Sequence, residues 1–110
     1  MENMALKTAI GNYGHTRPLK DGRVQSAKFD MNHVEISPVP MIFRRMVRGL
    51  EFDVAEMALS TYICAKHYGK QFTALPVFLT RSFYHAGIIC HTQSNIESPE
   101  QLAGRKVGVR

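Results

Sequence analysis

The chain has 110 residues, a length that suits one modest domain. Hydrophobic residues make up 45% and charged residues 21% of the sequence, which is typical of a globular protein and excludes a disordered one. The formal net charge of +5 favours an anionic partner such as nucleic acid, an acidic membrane face or a carboxylate or phosphate ligand, unless the charge is incidental.

The sequence contains neither an export signal nor a membrane span. The segment 1–7 lacks a basic region followed by an apolar one, and no run approaches the ~18 apolar residues of a spanning helix. Cys64 and Cys90 lie far apart among apolar neighbours, which predicts buried, reduced thiols. We therefore expect a soluble, cytoplasmic protein.

The first half of the chain contains two predicted strands and a helix. Leu6–Ile10 is typical of a short strand, and a polar, glycine-containing loop follows over residues 11–18. His33–Ser37 alternates like a half-exposed strand. A helix opens at Pro38 and Pro40, because proline is tolerated in a first helical turn.

This predicted helix is amphipathic. Its apolar residues recur with a period of 3.6 and are Ile42, Phe43, Met46, Val47 and Leu50. Arg44, Arg45 and Arg48 fall on the other face, which predicts a solvated basic surface. A nucleic-acid contact is the alternative, but no aromatic platform or known binding motif accompanies the arginines, so we predict no nucleic-acid partner.

Further strands and a second helix are predicted downstream. Phe52–Ala55 is a brief strand, and Met57–Tyr68 is a helix with apolar residues on both faces, ended by Gly69. Thr73–Leu79 is almost continuously apolar, as strands covered on both faces are. Another strand is predicted from Ala86 to Cys90.

The last segment predicts a capped helix and one more strand. Ser98 is the N-cap, Pro99 the first helical residue and Gln101 the reciprocal capping-box residue. A strand then begins over Arg105–Arg110. The alternation of strands and helices predicts an α/β fold with a mostly parallel sheet flanked by helices. Because the chain stops inside a predicted strand, we expect it to be the amino-terminal part of a longer protein.

Ligands of open parallel sheets bind beyond the carboxyl ends of the strands, and two predicted loops meet that condition. The loop after the first strand offers Tyr13, His15 and Arg17, and the segment after the long apolar strand offers Arg81 and His85. Arginine binds carboxylates with a planar fork of donors, and histidine donates or removes a proton near neutral pH. The structural alternatives are a surface turn for Arg17 and a backbone-bonded histidine for His85.

Glu56 and Ser60 lie at the entry of the second predicted helix. Capping is expected of such residues in any case, although a helix N-terminus also favours a bound anion. The five histidines show no metal-binding spacing. A metal site assembled in space from His15, His85 and Glu56 is a disfavoured alternative, so no metal ion is predicted.

Two internal regions of the sequence resemble the 4,5-dihydroxyphthalate decarboxylase family. They comprise Arg44–Arg48 with Phe52–Tyr62, and Phe72–His85. The closing Ser98–Val109 is similar to the type 2 periplasmic-binding-protein fold as a whole, so it indicates architecture and not activity. The resemblance implies a two-lobed fold, with residues 1–104 in the first lobe and 105–110 at the start of the second.

The resemblance also implies loss of one carboxylate from a dihydroxylated benzene dicarboxylate, without a cofactor. Arginines would hold the two carboxylates, a histidine would supply a proton, and Glu56 or another histidine would polarise a phenol. The predicted catalytic residues are His85, His15 and Glu56, and the predicted substrate-binding residues are Arg17, Arg81, Tyr13 and Ser60.

Three further expectations follow from this interpretation. These 110 residues alone should show little catalysis, because the facing lobe that closes the cleft would be missing. The partner would be a small aromatic carboxylate, with a homo-oligomer as an open possibility. The alternative function is a solute-binding protein for an anionic small molecule of an ABC-type transporter, against which the missing export signal counts.

Overall fold

The structure is a computed structural model that describes residues 3–80, 82–83 and 87–108. The chain divides into two compact units, residues up to 79 and residues from 80 onward. The elements of the first unit are β1 (Met4–Ala9), α1 (Arg17–Lys20), β2 (Phe29–His33), α2 (Pro40–Gly49), β3 (Val54–Ala55) and α3 (Leu59–His67). The second unit contains the 3₁₀ turns Thr92–Ser94 and Pro99–Leu102. The lobe boundary expected after residue 104 stays a prediction.

The three strands form a parallel sheet in the order β2-β1-β3. The pairing of β1 with β2 runs from Met4 opposite Phe29 to Thr8 opposite His33. β3 pairs with the end of β1, where Ala9 lies opposite Ala55. The predicted α/β class and parallel sheet are confirmed. Because the strands are parallel, the segments that follow them all leave from the same edge of the sheet.

The core lies where α2 packs against the sheet. Ala9 of β1, Ile42 and Met46 of α2, and Phe52 before β3 form one buried cluster. These helix residues belong to the predicted apolar stripe, so the amphipathic helix is confirmed. Full burial of a side chain such as Ile42 contributes about 1.5–3 kcal/mol relative to exposure. The helix ends at Gly49, and the next residue, Leu50, adopts the left-handed conformation at φ 46°.

The position of β2 and the presence of α1 differ from what the sequence predicts. β2 begins at Phe29 and ends at His33, so the strand predicted over residues 33–37 was wrong in its position. Pairing with β1 decides this position, because the ladder closes where the Val34 N–H donates to the Thr8 carbonyl at 2.8 Å. The loop after β1 also contains the single helical turn α1, which the sequence pattern did not reveal.

The predicted strand over Thr73–Leu79 was wrong as well. These residues are in no strand, and the Val77 N–H instead donates to the Leu75 carbonyl at 2.7 Å in a tight turn. Leu75, Val77 and Phe78 are each about two-thirds exposed. An apolar segment becomes a strand only beside a hydrogen-bonding neighbour, and none of the described strands pairs with this one.

Other residues in the second half of the chain are more exposed to solvent than the sequence predicts. α3 has one buried residue, Ala65, and Ile63 is 59% exposed, so the prediction of a helix covered on both faces was wrong. Cys64 and Cys90 are exposed, which corrects the expectation of buried thiols. Over the described parts of the last two predicted strands, residues 87–90 and 105–108, no strand forms. Ala86, Val109 and Arg110 lie outside the described residues.

The predicted capping box near the end of the chain is confirmed, although the element it caps is a 3₁₀ turn. Ser98 precedes the 3₁₀ turn Pro99–Leu102, and Gln101 Oε1 accepts a hydrogen bond from the Ser98 N–H at 3.1 Å. This is the reciprocal contact that the sequence predicts. Gly104 follows at a φ of 74°, a left-handed conformation that glycine adopts without strain.

Glu51 connects α2 with β1 through two cations. Arg45 Nε donates to Glu51 Oε2 at 2.7 Å, a second Arg45 nitrogen bonds Oε1, and Lys7 Nζ donates to Oε1 at 3.3 Å. The hydrogen bond from Arg45 lowers the pKa of Glu51 from 4.5 to about 2. Arg45 and Lys7 also each lie 5.3 Å from the centre of the Phe52 ring. Arg45 is therefore a half-buried contact of the core and not part of a solvated basic face.

The lowered pKa of Glu51 predicts that the folded chain loses stability in acid. Because its pKa is lowered by folding, its stabilising contribution is present above about pH 4.5 and is lost as the pH falls towards about 2. Thermal unfolding followed by circular dichroism should show the midpoint of the wild-type chain falling more steeply over this range than that of Glu51→Gln. The exposed Glu97→Gln variant is the control and should follow the wild type. Parallel curves for wild type and Glu51→Gln would contradict the assignment.

Candidate functional site

A pocket of about 480 Å³ opens beside the loop that follows β1. It is lined by Asn12, Tyr13, Gly14, Arg17, Lys20, Asp21 and Glu35. These residues follow the carboxyl ends of β1 and β2, which is the edge at which parallel sheets bind ligands. A smaller hollow of about 260 Å³ between α2 and α3 contains none of the predicted site residues.

Glu56 is a buried carboxylate at the end of β3. It is 9% exposed, and its N–H continues the ladder by donating to the Ala9 carbonyl at 2.9 Å. The Gly11 N–H donates to Oε2 at 2.8 Å, and the Tyr13 hydroxyl donates to Oε1 at 2.6 Å. A buried carboxyl group is costly unless donors satisfy its oxygens, and here both oxygens accept a hydrogen bond. Glu56 thus joins the end of β3 to the loop after β1.

Thr16 stabilises the loop after β1 through hydrogen bonds to two other residues of that loop. It is 1% exposed, its hydroxyl accepts from the Tyr13 N–H at 3.0 Å, and it lies 3.0 Å from the Gly11 carbonyl, to which it donates. The His15 ring stacks on the Tyr13 ring, with 5.6 Å between the ring centres and 6° between the planes. Backbone, hydroxyl and ring contacts together hold Tyr13 in one place.

Gly11 is required by the close approach of Tyr13. A Cβ atom added at Gly11 would lie 2.8 Å from the Tyr13 ring atoms Cε2 and Cζ and from Oη. Real Cβ contacts are essentially never that short, so any side chain here would displace the ring. The glycine is therefore part of the arrangement that places Tyr13 at the pocket.

Lys20 binds three acceptors at the pocket wall. Its Nζ donates to the Ile10 carbonyl, to Asn12 Oδ1 and to Glu35 Oε1, each at 2.8 Å, and its side chain is 11% exposed. The hydrogen bond from Lys20, followed by that from Asn12, lowers the pKa of Glu35. Lys20 thereby links the segments that follow β1 and β2. Sequence reasoning missed this lysine, because a lysine in a polar segment is usually a solvated surface residue.

The predicted site residues of the first loop come together at this edge. Tyr13 and Arg17 line the pocket, His15 stacks on Tyr13, and Glu56 lies behind Tyr13 without being part of the pocket lining. Ser60 is exposed in the first turn of α3 and is not a lining residue of this pocket.

The other half of the predicted site lies in a part of the chain that the structure does not describe. Arg81 and His85 are outside the described residues, so their convergence with the first loop stays a prediction. Among the described residues, no group of three histidine, cysteine or acidic side chains is arranged to hold a metal ion. In that same part of the chain, no helix is long and apolar enough to cross a bilayer.

The chain is similar to two curated proteins that are both named 4,5-dihydroxyphthalate decarboxylase. It is 34% identical to that of Comamonas testosteroni and 36% identical to that of Pseudomonas putida, over 99% of its own length in each case. It spans 33% of the first relative and 42% of the second. No protein-family model matches the chain. The resemblance seen in the internal segments is thus confirmed as a similarity that extends along the whole chain.

Substitutions at two glycines of the same loop test the placement of Tyr13. Gly11→Ala should destabilise the fold by about 1–3 kcal/mol, the usual cost of overpacking, because its Cβ collides with the Tyr13 ring. Gly14→Ala is the matched control, since a Cβ there meets nothing within 4 Å. Urea unfolding measures both free energies. Equal losses in the two variants would contradict the close packing of Tyr13 on Gly11.

Proposed function

We propose that the protein carrying this chain removes one carboxylate from 4,5-dihydroxyphthalate or a very similar dihydroxylated aromatic dicarboxylate. The similarity to two relatives named for this reaction, along 99% of the chain, carries the proposal. The pocket at the carboxyl edge of the sheet supports it, because Arg17 offers a guanidinium there. Because the chain spans well under half of each relative, the reaction is proposed for the whole protein.

The chemistry of this substrate class needs no electron sink besides the ring. A hydroxyl para to the departing carboxylate pushes electron density into the ring, and a proton adds at the carbon that bears the carboxylate. Carbon dioxide then leaves with its bond to that carbon broken, and the ring regains aromaticity. The protein has to bind two carboxylates, deliver one proton and polarise one phenol.

The proposed roles follow the predicted residues. Arg17 and Arg81 bind the carboxylates, His85 or His15 delivers the proton, and Glu56 or another histidine polarises the phenol. His15 lies beside the pocket residue Tyr13, which is compatible with its role. Ser60 and Tyr13 complete the proposed substrate-binding set.

The charge balance of the pocket supports an anionic ligand at Arg17. The pocket contains two carboxylates, and each has its own cation: Arg23 Nε donates to Asp21 at 2.9 and 3.0 Å, and Lys20 donates to Glu35. The hydrogen bond from Arg23 lowers the pKa of Asp21. These pairs weaken the repulsion that a dianion would meet, and Arg17 has no such hydrogen-bonded carboxylate among the described residues.

The alternative of a solute-binding protein is not favoured, since both relatives are named as decarboxylases. A cytoplasmic location and a homo-oligomeric state belong to the proposal as predictions. Fractionation of the host cell and sedimentation of the purified protein test them directly.

Binding of 4,5-dihydroxyphthalate is expected to depend on Arg17. Arg17→Gln should weaken binding by about tenfold, because a charge-assisted contact with a carboxylate is lost. Arg44→Gln, on the exposed face of α2, is the matched control and should leave the affinity unchanged. Titration followed by nuclear magnetic resonance gives both dissociation constants. Equal affinity of wild type and Arg17→Gln would contradict the role of Arg17.

The 110-residue chain by itself is expected to release little carbon dioxide from 4,5-dihydroxyphthalate. Its pocket is open, and the chain spans only 33–42% of the relatives. Measured carbon dioxide release decides the point, with the Pseudomonas putida relative as the positive control. Turnover comparable to that of the control would contradict the expectation.

A further inference from the structure

Glu35 is a carboxylate of the pocket lining that has acceptor positions left over. Its side chain is 60% exposed, and the hydrogen bond from Lys20 lowers its pKa below 4.5, so it is ionised at neutral pH. Oε1 accepts from Lys20 at 2.8 Å and Oε2 accepts from Asn12 Nδ2 at 2.9 Å. An ionised carboxylate has about four acceptor positions, so each oxygen of Glu35 can accept one more hydrogen bond.

Lys20 and Asn12 hold this carboxylate in place. Both line the same pocket. The three N–H groups of Lys20 Nζ donate to the Ile10 carbonyl, to Asn12 Oδ1 and to Glu35 Oε1. Because a lysine can only donate, the Asn12 oxygen has to face Lys20, and the Asn12 amide nitrogen is left to donate to Glu35. Lys20 has no donor left for a ligand, so it acts on the pocket by positioning Glu35.

Asp21, the other carboxylate of the pocket lining, is occupied by Arg23. Each oxygen of Asp21 contacts two Arg23 nitrogens: Oδ1 contacts the backbone nitrogen and Nε, and Oδ2 contacts Nε and Nη2, at 2.7 to 3.2 Å. The Asp21 side chain is also less exposed than that of Glu35, at 38% against 60%. Of the two carboxylates that line the pocket, Glu35 is therefore the one that can accept from a ligand.

We propose that Glu35 binds a ring hydroxyl of the ligand, with Lys20 and Asn12 as its positioning residues. The inference rests on the proposed function, because it names the residue that recognises the hydroxyl groups of the proposed substrate. A hydroxyl donates to an ionised carboxylate in a short, charge-assisted hydrogen bond, whereas a ligand carboxylate in the same place is repelled. Arg17 lines the same pocket and is proposed to bind a carboxylate. The two ends of the ligand are thereby distinguished by charge.

A hydroxyl bonded to Glu35 is also polarised. The anionic acceptor draws on the phenolic proton, which increases the electron density that the oxygen can push into the ring. The O–H bond stays intact in this step, so no proton has to leave the pocket. Glu35 had no predicted role, because the strand predicted over residues 33–37 contained it. Since β2 ends at His33, Glu35 lies beyond the carboxyl end of that strand, where parallel sheets bind ligands.

A comparison of two acids tests the inference. Phthalate has the carboxylates of 4,5-dihydroxyphthalate and lacks its hydroxyls, so the dissociation constant of phthalate divided by that of the dihydroxylated acid reports hydroxyl recognition. Glu35→Gln should lower this ratio by about threefold to tenfold, because a hydrogen bond to a charged acceptor becomes one to a neutral acceptor. Phthalate itself should bind at least as tightly as it does to the wild type, since a negative charge has been removed from the pocket.

This pair of results separates recognition from a merely structural role, because a structural defect would weaken both acids by the same factor. Glu97→Gln is the matched control: it makes the same change of charge at an exposed glutamate that does not line the pocket, and it should keep the wild-type ratio. If Glu35→Gln does not fold, Glu35→Asp decides. It keeps the charge but withdraws the carboxylate by one carbon–carbon bond, so the ratio should again fall.

The outcomes distinguish the inference from the function on which it rests. If the wild-type chain binds neither acid, both are overturned. If the wild type prefers the dihydroxylated acid and Glu35→Gln keeps that preference, only the inference is overturned. Equal wild-type affinity for the two acids would also overturn the inference alone.

Discussion

The buried carboxylate of Glu56 is the contact on which the candidate site depends. Glu56 leaves β3 at the edge where the parallel strands end, and its two oxygens accept from the Gly11 N–H and the Tyr13 hydroxyl. A buried carboxyl group is costly when its oxygens lack hydrogen-bond donors. The loop after β1 therefore cannot move away from β3 without leaving the Glu56 oxygens unsatisfied. These two hydrogen bonds fix the position of the loop relative to the sheet.

The cations of the first compact unit make different contacts, although the sequence alone shows only their net positive charge. Lys20 is occupied by three acceptors and holds two strand ends together. Arg23 neutralises Asp21 at the rim, and Arg45 binds Glu51 at the core. Arg17 lines the pocket and has no hydrogen-bonded carboxylate among the described residues. Net charge is therefore an argument about ligands only after the cations that form ion pairs within the protein have been set aside.

Elements with a strong local signal could be predicted, whereas the ends of strands, and whether an apolar run forms a strand at all, depend on a pairing partner. The helix Pro40–Gly49 follows from its proline start and its apolar stripe, since both are properties of neighbouring residues. The turn at Leu75–Val77 shows the opposite case, because an apolar run becomes a strand only when another strand lies beside it. The position of β2 belongs to the same class, since pairing with β1 fixes its ends.

The sequence by itself determined the α/β class and the placement of candidate residues after the first strand, because periodicity and strand order are local properties of the chain. The likeness to the decarboxylases came from the residues of two internal regions. The tertiary structure alone decided that Glu56 lies behind Tyr13 and that Lys20 joins two strand ends. These partners are separated by 43 residues in the first case and by up to 15 in the second. Only the parallel pairing of the strands brings them to one edge, so no local pattern could have revealed them.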